Sequence, residues 1–203
     1  MFSCVITGGI GCGKSSASSF LRSALGNLAH YFSADDVART ALEVPVVIEA
    51  LVGFFGEDCL ESIDRKRQIN KQWLRETVFH HTKARRWLEK IIHPIVFDAL
   101  DKHREEATNI GCEVFLAEVP LYYEVGMTVE ADLIIVVAAS HTVQTSRLME
   151  GRGLDEELIE NILRSQWSIE DKVEKAEVVI WNDGEIAALE TQLLTLARQL
   201  RLA

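Results

Sequence analysis

Residues 2–15 read FSCVITGGIGCGKS, an apolar run that leads into a glycine-rich loop and a Lys-Ser pair. We predict a short buried strand over Phe2–Thr7 and a helix over Lys14–Ala24. The segment between them, Gly8–Ser15, matches the pattern GxxxxGK[ST]. In that pattern backbone N–H groups curl around phosphate oxygens, and glycines line the loop because side chains would obstruct the approach. The sequence therefore predicts a phosphate-binding loop.

The position of this loop, directly before a helix, supports the same prediction. The N–H groups and the positive dipole end of a helix N-terminus favour anions. Lys14 is predicted to reach the β- and γ-phosphates of a nucleotide, and the Ser15 hydroxyl to ligate Mg²⁺. A chain of this length matches the pattern by chance on the order of once in a hundred. The loop residues predicted to bind ATP are Gly9, Ile10, Gly11, Cys12, Gly13, Lys14, Ser15 and Ser16.

Strands and helices alternate through most of the remaining sequence. This order predicts a three-layer α/β P-loop fold with a parallel central sheet and right-handed crossovers. The further strands are predicted at Leu28–Phe32, Glu113–Ala117, Leu133–Val137 and Val178–Trp181, and the further helices at Ala34–Glu43, Thr142–Met149, Asp155–Ser168 and Glu185–Leu200. The last helix carries an apolar stripe and is predicted to cover the sheet.

The middle of the chain differs, because residues 45–106 show apolar positions at helical spacing and no convincing strand. Pro94 interrupts that spacing, so we predict one helix that ends near His93 and another that starts at Pro94. We expect a single kinase domain over residues 1–203. Its core is placed at about 1–44, 107–146 and 174–203, with a helical acceptor-binding insert at 45–106 and a small lid at 147–173.

Composition limits the partners of this chain. The 203 residues carry a formal net charge of −10, which disfavours bulk binding to nucleic acid. No apolar run approaches the ~20 residues of a membrane span, and no secretory signal precedes the first strand. The four cysteines lack a CxxC pair, which is typical of reduced thiols in a cytosolic protein. We therefore expect a cytoplasmic protein with small-molecule partners, bound to neither membrane nor nucleic acid.

Two features favour a kinase over a switch GTPase. The helical insert and the arginines at Arg147 and Arg152 suggest the plan of a nucleotide kinase, in which a mobile lid covers the phosphates and supplies positive charge. A GTPase would usually carry an Asn/Thr-Lys-x-Asp motif that reads the base. The nearest segment, Asn70–Trp73, lacks the Asp and does not follow a predicted strand.

The remaining landmarks resemble those of the dephospho-coenzyme A kinase family. They occur in the order that this family shows, from Thr7 to Gly184. The Gly-Gly-Ile opening, the His-Pro pair and the Pro-Leu-x-x-Glu run are specific when they occur together. The matching segments are TGGIGCGKS (7–15), Ala34-Asp35 with Val37-Ala38-Arg39, WLEKIIHP (87–94), PLYYE (120–124), and Gln166, Lys172 and Ala176 with Asn182-Asp183-Gly184.

This resemblance implies a reaction that the residues alone do not reveal. ATP would phosphorylate the 3′-hydroxyl of the ribose in dephospho-coenzyme A, giving coenzyme A and ADP, the last step of coenzyme A biosynthesis. Two alternatives stay open at this point. One is a kinase for another nucleotide or small metabolite, and the other is a non-catalytic nucleotide-binding regulatory protein.

The resemblance also implies that Asp35 is the general base or the group that orients the attacking hydroxyl. Its position just beyond the second predicted strand suits a ligand site in an open α/β sheet. The alternative is an N-cap for a helix that begins near Asp36. The chain departs from the family at Ser33, where the first Asp of the D-A-D segment is replaced by a residue without charge.

Further roles follow from the resemblance, each beside a structural alternative. Glu118 is expected near Mg²⁺, through water, or is a charged strand end. Arg147 and Lys14 are predicted catalytic residues. Arg147 and Arg152 would contact ATP from the lid; the alternative is that they lie on a solvated helix face. Asn182 would contact adenine or form a turn. The predicted acceptor-binding residues are Asp35, Arg39, His93, Pro120 and Leu121; His93 has the alternative of a helix-terminal residue before a breaking proline.

Overall fold

A parallel sheet forms the centre of the computed structural model, which describes residues 1–63, 66–125 and 131–201. Within these ranges the sheet has the order β2-β5-β1-β6-β7, and β3 and β4 form a separate antiparallel hairpin. The strands are β1 (Phe2–Gly8), β2 (Ala29–Ser33), β3 (Leu60–Ile63), β4 (Lys66–Ile69), β5 (Val114–Glu118), β6 (Leu133–Ala138) and β7 (Val178–Trp181).

Helices connect the strands. The helices are α1 (Lys14–Leu25), α2 (Ala34–Ala41), α3 (Pro45–Phe55), α4 (Lys71–His80), α5 (Thr82–Asn109), α6 (His141–Arg152), α7 (Glu156–Arg164), α8 (Ile169–Glu174) and α9 (Ile186–Leu200). Short 3₁₀ turns occupy Gly26–Leu28 and Glu57–Cys59. The predicted parallel α/β sheet is confirmed, and its predicted strands differ from the observed ones by one residue at most at either end.

The central strand β1 brings the glycine-rich loop to the carboxyl edge of the sheet. It pairs in parallel with β5 on one side and β6 on the other, and Ile6 lies opposite Glu118 in the register with β5. Residues of β5 are buried along its whole length, because both faces of a parallel sheet are covered. The ends of these strands therefore surround the loop that follows Gly8.

One face of the sheet packs against α1 and α9. Leu21 and Leu25 of α1 and Leu193 and Leu196 of α9 are almost fully buried in one cluster with Cys4 of β1. Burial of each such side chain stabilises the fold by about 1.5–3 kcal/mol relative to exposure. The predicted role of the last helix as a cover for the sheet is confirmed.

The predicted break at Pro94 is wrong, since α5 runs without interruption from Thr82 to Asn109. Proline removes one backbone hydrogen bond and usually kinks or ends a helix. In this helix the buried residues Ile92, Val96 and Leu100 lie at helical spacing across the proline position. Their continuous apolar stripe favours a single helix and outweighs the local cost of the proline.

Two other expectations are wrong. Residues 45–106 do contain strands, because β3 and β4 pair with Leu60 opposite Ile69; their short polar sequences gave no strand signal. The helix expected over Asp155–Ser168 ends at Arg164, and α8 begins anew after Ser168. Ser168 caps α8 by accepting a hydrogen bond from the backbone N–H of Asp171, the type of cap that serine favours.

The chain divides into two compact units, residues 34–102 and residues 1–33 with 103–203. The first of these contains residues 45–102 of the segment predicted as an acceptor-binding insert, and residues 103–106 belong to the second. The second contains the five-stranded sheet, the glycine-rich loop and the segment predicted as a lid. None of the helices in the described ranges combines the length and the apolar character that a membrane crossing requires.

Candidate active site

The loop between β1 and α1 has the backbone of an anion site. Gly13 directly precedes α1 with φ +86°, a left-handed conformation that favours glycine. Among the described residues, α1 receives no side-chain hydrogen bond at its N-terminus. Its first-turn N–H groups and the helix dipole are therefore directed at whatever enters the loop, and phosphate is the preferred occupant of such a position.

Glycine is required in this loop for a second reason, which is crowding by neighbouring side chains. A Cβ on Gly13 would lie 2.4 Å from Nδ2 of Asn182, and one on Gly9 would lie 2.6 Å from Nε2 of Gln144. Both distances are far inside van der Waals contact. Glycine thus leaves room for phosphate on one side of the loop and for supporting amides on the other.

Side chains from distant segments hold three successive carbonyl groups of the loop. Gln144 Nε2 donates to the carbonyl of residue 10 at 2.6 Å, Arg147 to that of residue 11 at 3.4 Å, and Asn182 Nδ2 to that of residue 12 at 2.8 Å. The backbone N–H of Ile10 donates to Oε1 of Gln166 at 3.1 Å. These contacts fix the loop conformation from α6 and from the end of β7.

Lys14 and Ser15 occupy the positions that the sequence pattern predicts. The Lys14 ammonium donates to the carbonyl of Gly9 at 2.8 Å, which holds it across the loop. The Ser15 hydroxyl donates to Oε1 of Glu118 at 3.2 Å, and the Tyr31 hydroxyl donates to Oε2 of the same carboxylate at 2.7 Å. Glu118 is buried and therefore differs from a solvated strand end. A hydroxyl and a carboxylate brought together in this way are ligands of the kind that Mg²⁺ prefers.

A buried ion pair lies behind the loop. Lys172 is fully buried, and its ammonium is 2.7 Å from Oε1 of Glu124 and 3.4 Å from the carbonyl of Gly8. The backbone N–H of Trp167 donates to the same Glu124 oxygen at 3.0 Å. Removal of one partner from such a pair would leave an uncompensated buried charge. Through its contact with the carbonyl of Gly8, Lys172 also ties α8 to the start of the loop.

The Asn182-Asp183 turn connects the loop to α6. Asn182 binds the loop, and the Asp183 carboxylate accepts a hydrogen bond at 2.7 Å from the backbone N–H of Ser140, the residue that caps α6. Burial opposes ionisation of Asp183, but the Ser140 hydrogen bonds and the Arg147 charge prevail and lower the pKa of Asp183 below its usual range. A negative charge at the start of α6 also stabilises the helix dipole.

The loop thiol is held in its neutral form. Burial raises the pKa of Cys12, and the nearby Lys14 charge only partly offsets this effect. The nucleophilic form of cysteine is the thiolate. Cys12 therefore serves as a small buried side chain of the loop.

The two predicted lid arginines lie in different surroundings. Arg147 is half-buried and reaches the loop, whereas Arg152 is exposed in the last turn of α6. Of the predicted acceptor residues in the same unit, Pro120 accepts a hydrogen bond from the Thr7 hydroxyl at 3.1 Å, and Leu121 is exposed. The structure thus brings Arg147 and Pro120 to the end of β1.

The other predicted acceptor residues belong to the unit of residues 34–102. Helix α2 begins at Ala34, so Asp35 lies inside its first turn, and the alternative of an N-cap is wrong. Arg39 pairs with Asp36 on the exposed face of the same helix. His93 is half-buried in α5, and its ring centroid lies 6.0 Å from that of Phe97.

Sequence reasoning missed several residues of this site. Gln144 and Tyr31 received no role, and Lys172 and Gln166 appeared only as parts of a resemblance. Lys172 lies in a run of charged residues, a pattern that is typical of a solvent-exposed helix. For Gln144 a signal was available, because it lies four residues before the buried Leu148 on the same helix face.

Comparisons with known proteins agree with this geometry. The family model for dephospho-CoA kinase matches residues 3–188. The dephospho-CoA kinase of Fusobacterium nucleatum is 33% identical over 184 residues, which cover 91% of each chain. The crystal structure of TT1252 from Thermus thermophilus matches with a TM-score of 0.77 and 28% identity, over 98% of this chain and 97% of that one. Dephospho-CoA kinase from Campylobacter jejuni shares the fold with a TM-score of 0.68 and 24% identity, over 98% of this chain and 96% of that one. The chain belongs to the dephospho-CoA kinase family.

Proposed function

We propose that this chain transfers the γ-phosphoryl group of ATP to the 3′-hydroxyl of the ribose in dephospho-coenzyme A, giving coenzyme A and ADP. Membership in the family supports the reaction and makes ATP the donor substrate. The observation that carries the proposal is the loop itself, with carbonyls held from outside by Gln144, Arg147 and Asn182.

The loop supplies the electrostatic part of the mechanism. Phosphoryl transfer develops charge on the oxygens around phosphorus, and fixed positive groups stabilise that charge. Lys14 and Arg147 both contact loop carbonyls, so their charges lie at the loop before ATP arrives. The first-turn N–H groups of α1 add partial positive charge from the other side. Arg152 is proposed as a second contact to ATP, and Asn182 as a contact to adenine.

Ser15 and Glu118 fit a magnesium ion, because a hydroxyl and a buried carboxylate lie in hydrogen-bond contact at the end of β5. Ser15 and Glu118 would hold Mg²⁺, and the ion would supply positive charge that neutralises the phosphates. Tyr31 holds the second oxygen of Glu118 and so fixes the orientation of the carboxylate.

Asp35 is proposed to accept the proton of the attacking hydroxyl and to hold its oxygen in line with phosphorus. It follows β2 by two residues, and Ser33, the last residue of β2, is opposite Glu118 in the sheet register. The proposed acceptor pocket includes Arg39, His93, Pro120 and Leu121, with residues 45–106 as the acceptor-binding insert and 147–173 as the lid. The cytoplasm is the proposed compartment.

A coupled assay of ADP release tests the proposal. Purified protein with Mg²⁺ and ATP should release ADP rapidly with dephospho-coenzyme A and slowly with adenosine, AMP or no acceptor. The Lys14→Ala variant should lose this activity while it stays folded, since the half-buried Lys14 ammonium lies at the loop, where it contacts the carbonyl of Gly9. Lys102→Ala, which removes an exposed lysine paired with Asp98, is the matched control and should keep full activity.

The assay also separates the alternatives. Faster release with another acceptor would identify a different metabolite kinase, and ATP binding without turnover on any acceptor would indicate a regulatory protein. Near-wild-type turnover by folded Lys14→Ala would falsify the assignment of the loop.

A further inference from the structure

Three side chains with metal-binding atoms meet at a place other than the phosphate loop. They are His30 of β2 and His103 and Glu106 of α5, and one ligand atom of each lies within 4.8 Å of the others. Nε2 of His30 and Nδ1 of His103 are 2.9 Å apart. His30 is three residues before the end of β2, about 10 Å along the strand from the loop edge of the sheet.

Backbone geometry and aromatic packing fix the three groups. His103 and Glu106 are three residues apart in a helix and so project from the same face. The His30 ring stacks on Phe115 with centroids 6.1 Å apart, and the His103 ring contacts the edge of Phe32 at 5.4 Å. Both histidines are half-buried, whereas Glu106 is exposed. Two imidazole nitrogens are thus held facing one another beside a carboxylate that solvent can reach.

The distance between the two nitrogens suits a shared cation. Two nitrogens each about 2.0–2.1 Å from one metal ion lie about 2.9 Å apart at a right angle and about 3.3 Å apart in a tetrahedron. The observed separation of 2.9 Å between the two nitrogens equals the right-angle value and is a few tenths of an ångström shorter than the tetrahedral one. Imidazole ligands favour zinc, copper, nickel, cobalt and iron, whereas magnesium and calcium prefer oxygen.

The charge at this site favours a bound cation. The Glu106 carboxylate offers a ligand oxygen within 4.8 Å of the ring nitrogens of His30 and His103. A carboxylate at that distance attracts a metal ion, because opposite charges close together stabilise one another.

We propose that His30, His103 and Glu106 form a binding site for one divalent transition-metal ion of the zinc class. His30 also lines an open groove of about 710 Å³ with Arg22, Asn27 and Cys112, which gives an ion and its water ligands a route to the site. The site is independent of the proposed magnesium position at Ser15 and Glu118, because neither of those residues belongs to it.

The site occupies a defined place along the chain. β2 ends at Ser33, the last residue before the unit of residues 34–102, and His103 is the first residue after that unit. A bound ion would therefore cross-link the segments by which the chain leaves and re-enters the sheet-containing unit. Such a cross-link stabilises the folded state, because the unfolded chain does not hold the three ligands together.

Direct titration tests the site without reliance on kinase activity. Chain without a histidine tag, freed of metal with a chelator, is titrated with Co²⁺ and with Zn²⁺ in millimolar Mg²⁺, which occupies oxygen sites. We expect one ion per chain, a visible absorption band for Co²⁺ and a higher melting temperature. Glu106→Gln should weaken binding by about tenfold or more, and His103→Gln by more still.

A matched control removes another histidine beside a carboxylate. His141 is exposed, and its Nε2 is 2.9 Å from Glu160, so His141→Gln should bind the ion as wild type does. Glu106 is exposed, so we expect Glu106→Gln to leave the fold intact, which its melting curve without metal checks. Unsaturable binding by the wild type, or unchanged affinity in Glu106→Gln and His103→Gln, would overturn the site and leave a His–His hydrogen bond.

Discussion

At the scale of single residues, the phosphate loop is held from its outer side by side chains that come from other segments of the chain. Gln144, Arg147 and Asn182 each bind one loop carbonyl, at positions 10, 11 and 12. A carbonyl bound from outside cannot turn inward, where it would repel an anion. The loop is therefore arranged for phosphate before the nucleotide arrives, and preorganisation of this kind is a main source of catalytic stabilisation.

Asp35 is the residue on which the proposed mechanism most depends. Asp35→Asn keeps the shape and removes the charge and basicity, so turnover should fall by about 10²–10⁴-fold, the usual contribution of a positioned general base. ATP affinity and melting temperature should change little. Steady-state kinetics with dephospho-coenzyme A and a melting curve of each protein give the measurement.

Asp36→Asn is the control for this experiment, since Asp36 lies in the same first turn of α2 and carries the same charge. Charge at a helix N-terminus is worth about 0.3–1 kcal/mol of stability; both variants lose it, and Asp36→Asn also loses the exposed ion pair with Arg39. A turnover of Asp35→Asn within a few-fold of the wild type, similar to that of Asp36→Asn, would leave Asp35 with this electrostatic role alone.

Cys4 predicts a loss of stability at alkaline pH. Burial, with the Asp132 charge, raises the pKa of this thiol from its usual 9.0 to about 12. Between pH 9 and pH 12 the Cys4 thiol is ionised in the unfolded chain and neutral in the folded one. Its contribution to the free energy of unfolding is therefore complete below pH 9 and is lost as the pH rises towards 12. The difference in unfolding free energy between wild type and Cys4→Ala should shrink above pH 9.

Urea unfolding under reducing conditions from pH 7 to pH 10.5 measures this difference. The slope cannot exceed about 1.4 kcal/mol per pH unit for one proton. Val5→Ala is the control, because Val5 is also fully buried in β1 but carries no titratable atom. A Cys4→Ala difference as constant with pH as that of Val5→Ala would contradict the prediction.

At the scale of helices and strands, local pattern predicted elements well where one periodicity ran through the whole element. β5 and β6 are continuous apolar runs, and the stripe of α9 repeats at helical spacing. The errors arose where a local signal competed with packing. Pro94 is a strong break signal, yet the buried stripe across it prevails. The β3–β4 hairpin has no alternating apolar pattern, so only the pairing of its two strands reveals it.

The segment from α6 to α7 is the element proposed to close over ATP. Gly151 lies inside α6, and Gly153 ends this helix with φ +64°, so the turn before α7 depends on a glycine conformation. Amide hydrogen exchange over residues 147–164 should slow when an ATP analogue and dephospho-coenzyme A bind together. Exchange in α9, which packs on the sheet core, should stay the same and serves as the internal reference. Equal exchange in this segment with and without both ligands would argue against a lid there.

At the scale of the whole molecule, an acidic protein places three positively charged side chains at one loop. The formal net charge is −10, yet Lys14, Arg147 and Lys172 all contact carbonyls of the Gly8–Gly11 segment. A contiguous motif made Lys14 predictable from the sequence. Lys172 is separated from its loop partner by 164 positions, and no local pattern predicts contacts at that range. For the same reason the sequence predicted the loop but gave no role to Gln144, and it gave Lys172 only a place in a resemblance.

Nucleotide binding should stabilise the folded protein against heat. A ligand that binds only the folded state adds about 2.7 kcal/mol at a concentration of 100 Kd. A non-hydrolysable ATP analogue with Mg²⁺ should therefore raise the melting temperature by several degrees. The shift should be much smaller in Lys14→Ala and unchanged in Lys102→Ala, which a dye-based melting experiment measures. Equal shifts in all three proteins would contradict binding at the loop.

The central place of β1 has a consequence for how the protein is made. Its sheet neighbours β5 and β6 begin at Val114 and Leu133, so β1 is translated about 100 residues before either of the strands with which it pairs. At about 5–20 residues per second this interval lasts roughly 5–20 s. During that time an apolar strand with two open edges is available to other nascent chains. The strand that carries the phosphate loop therefore stays unpaired for longer during synthesis than β2, which also waits for β5.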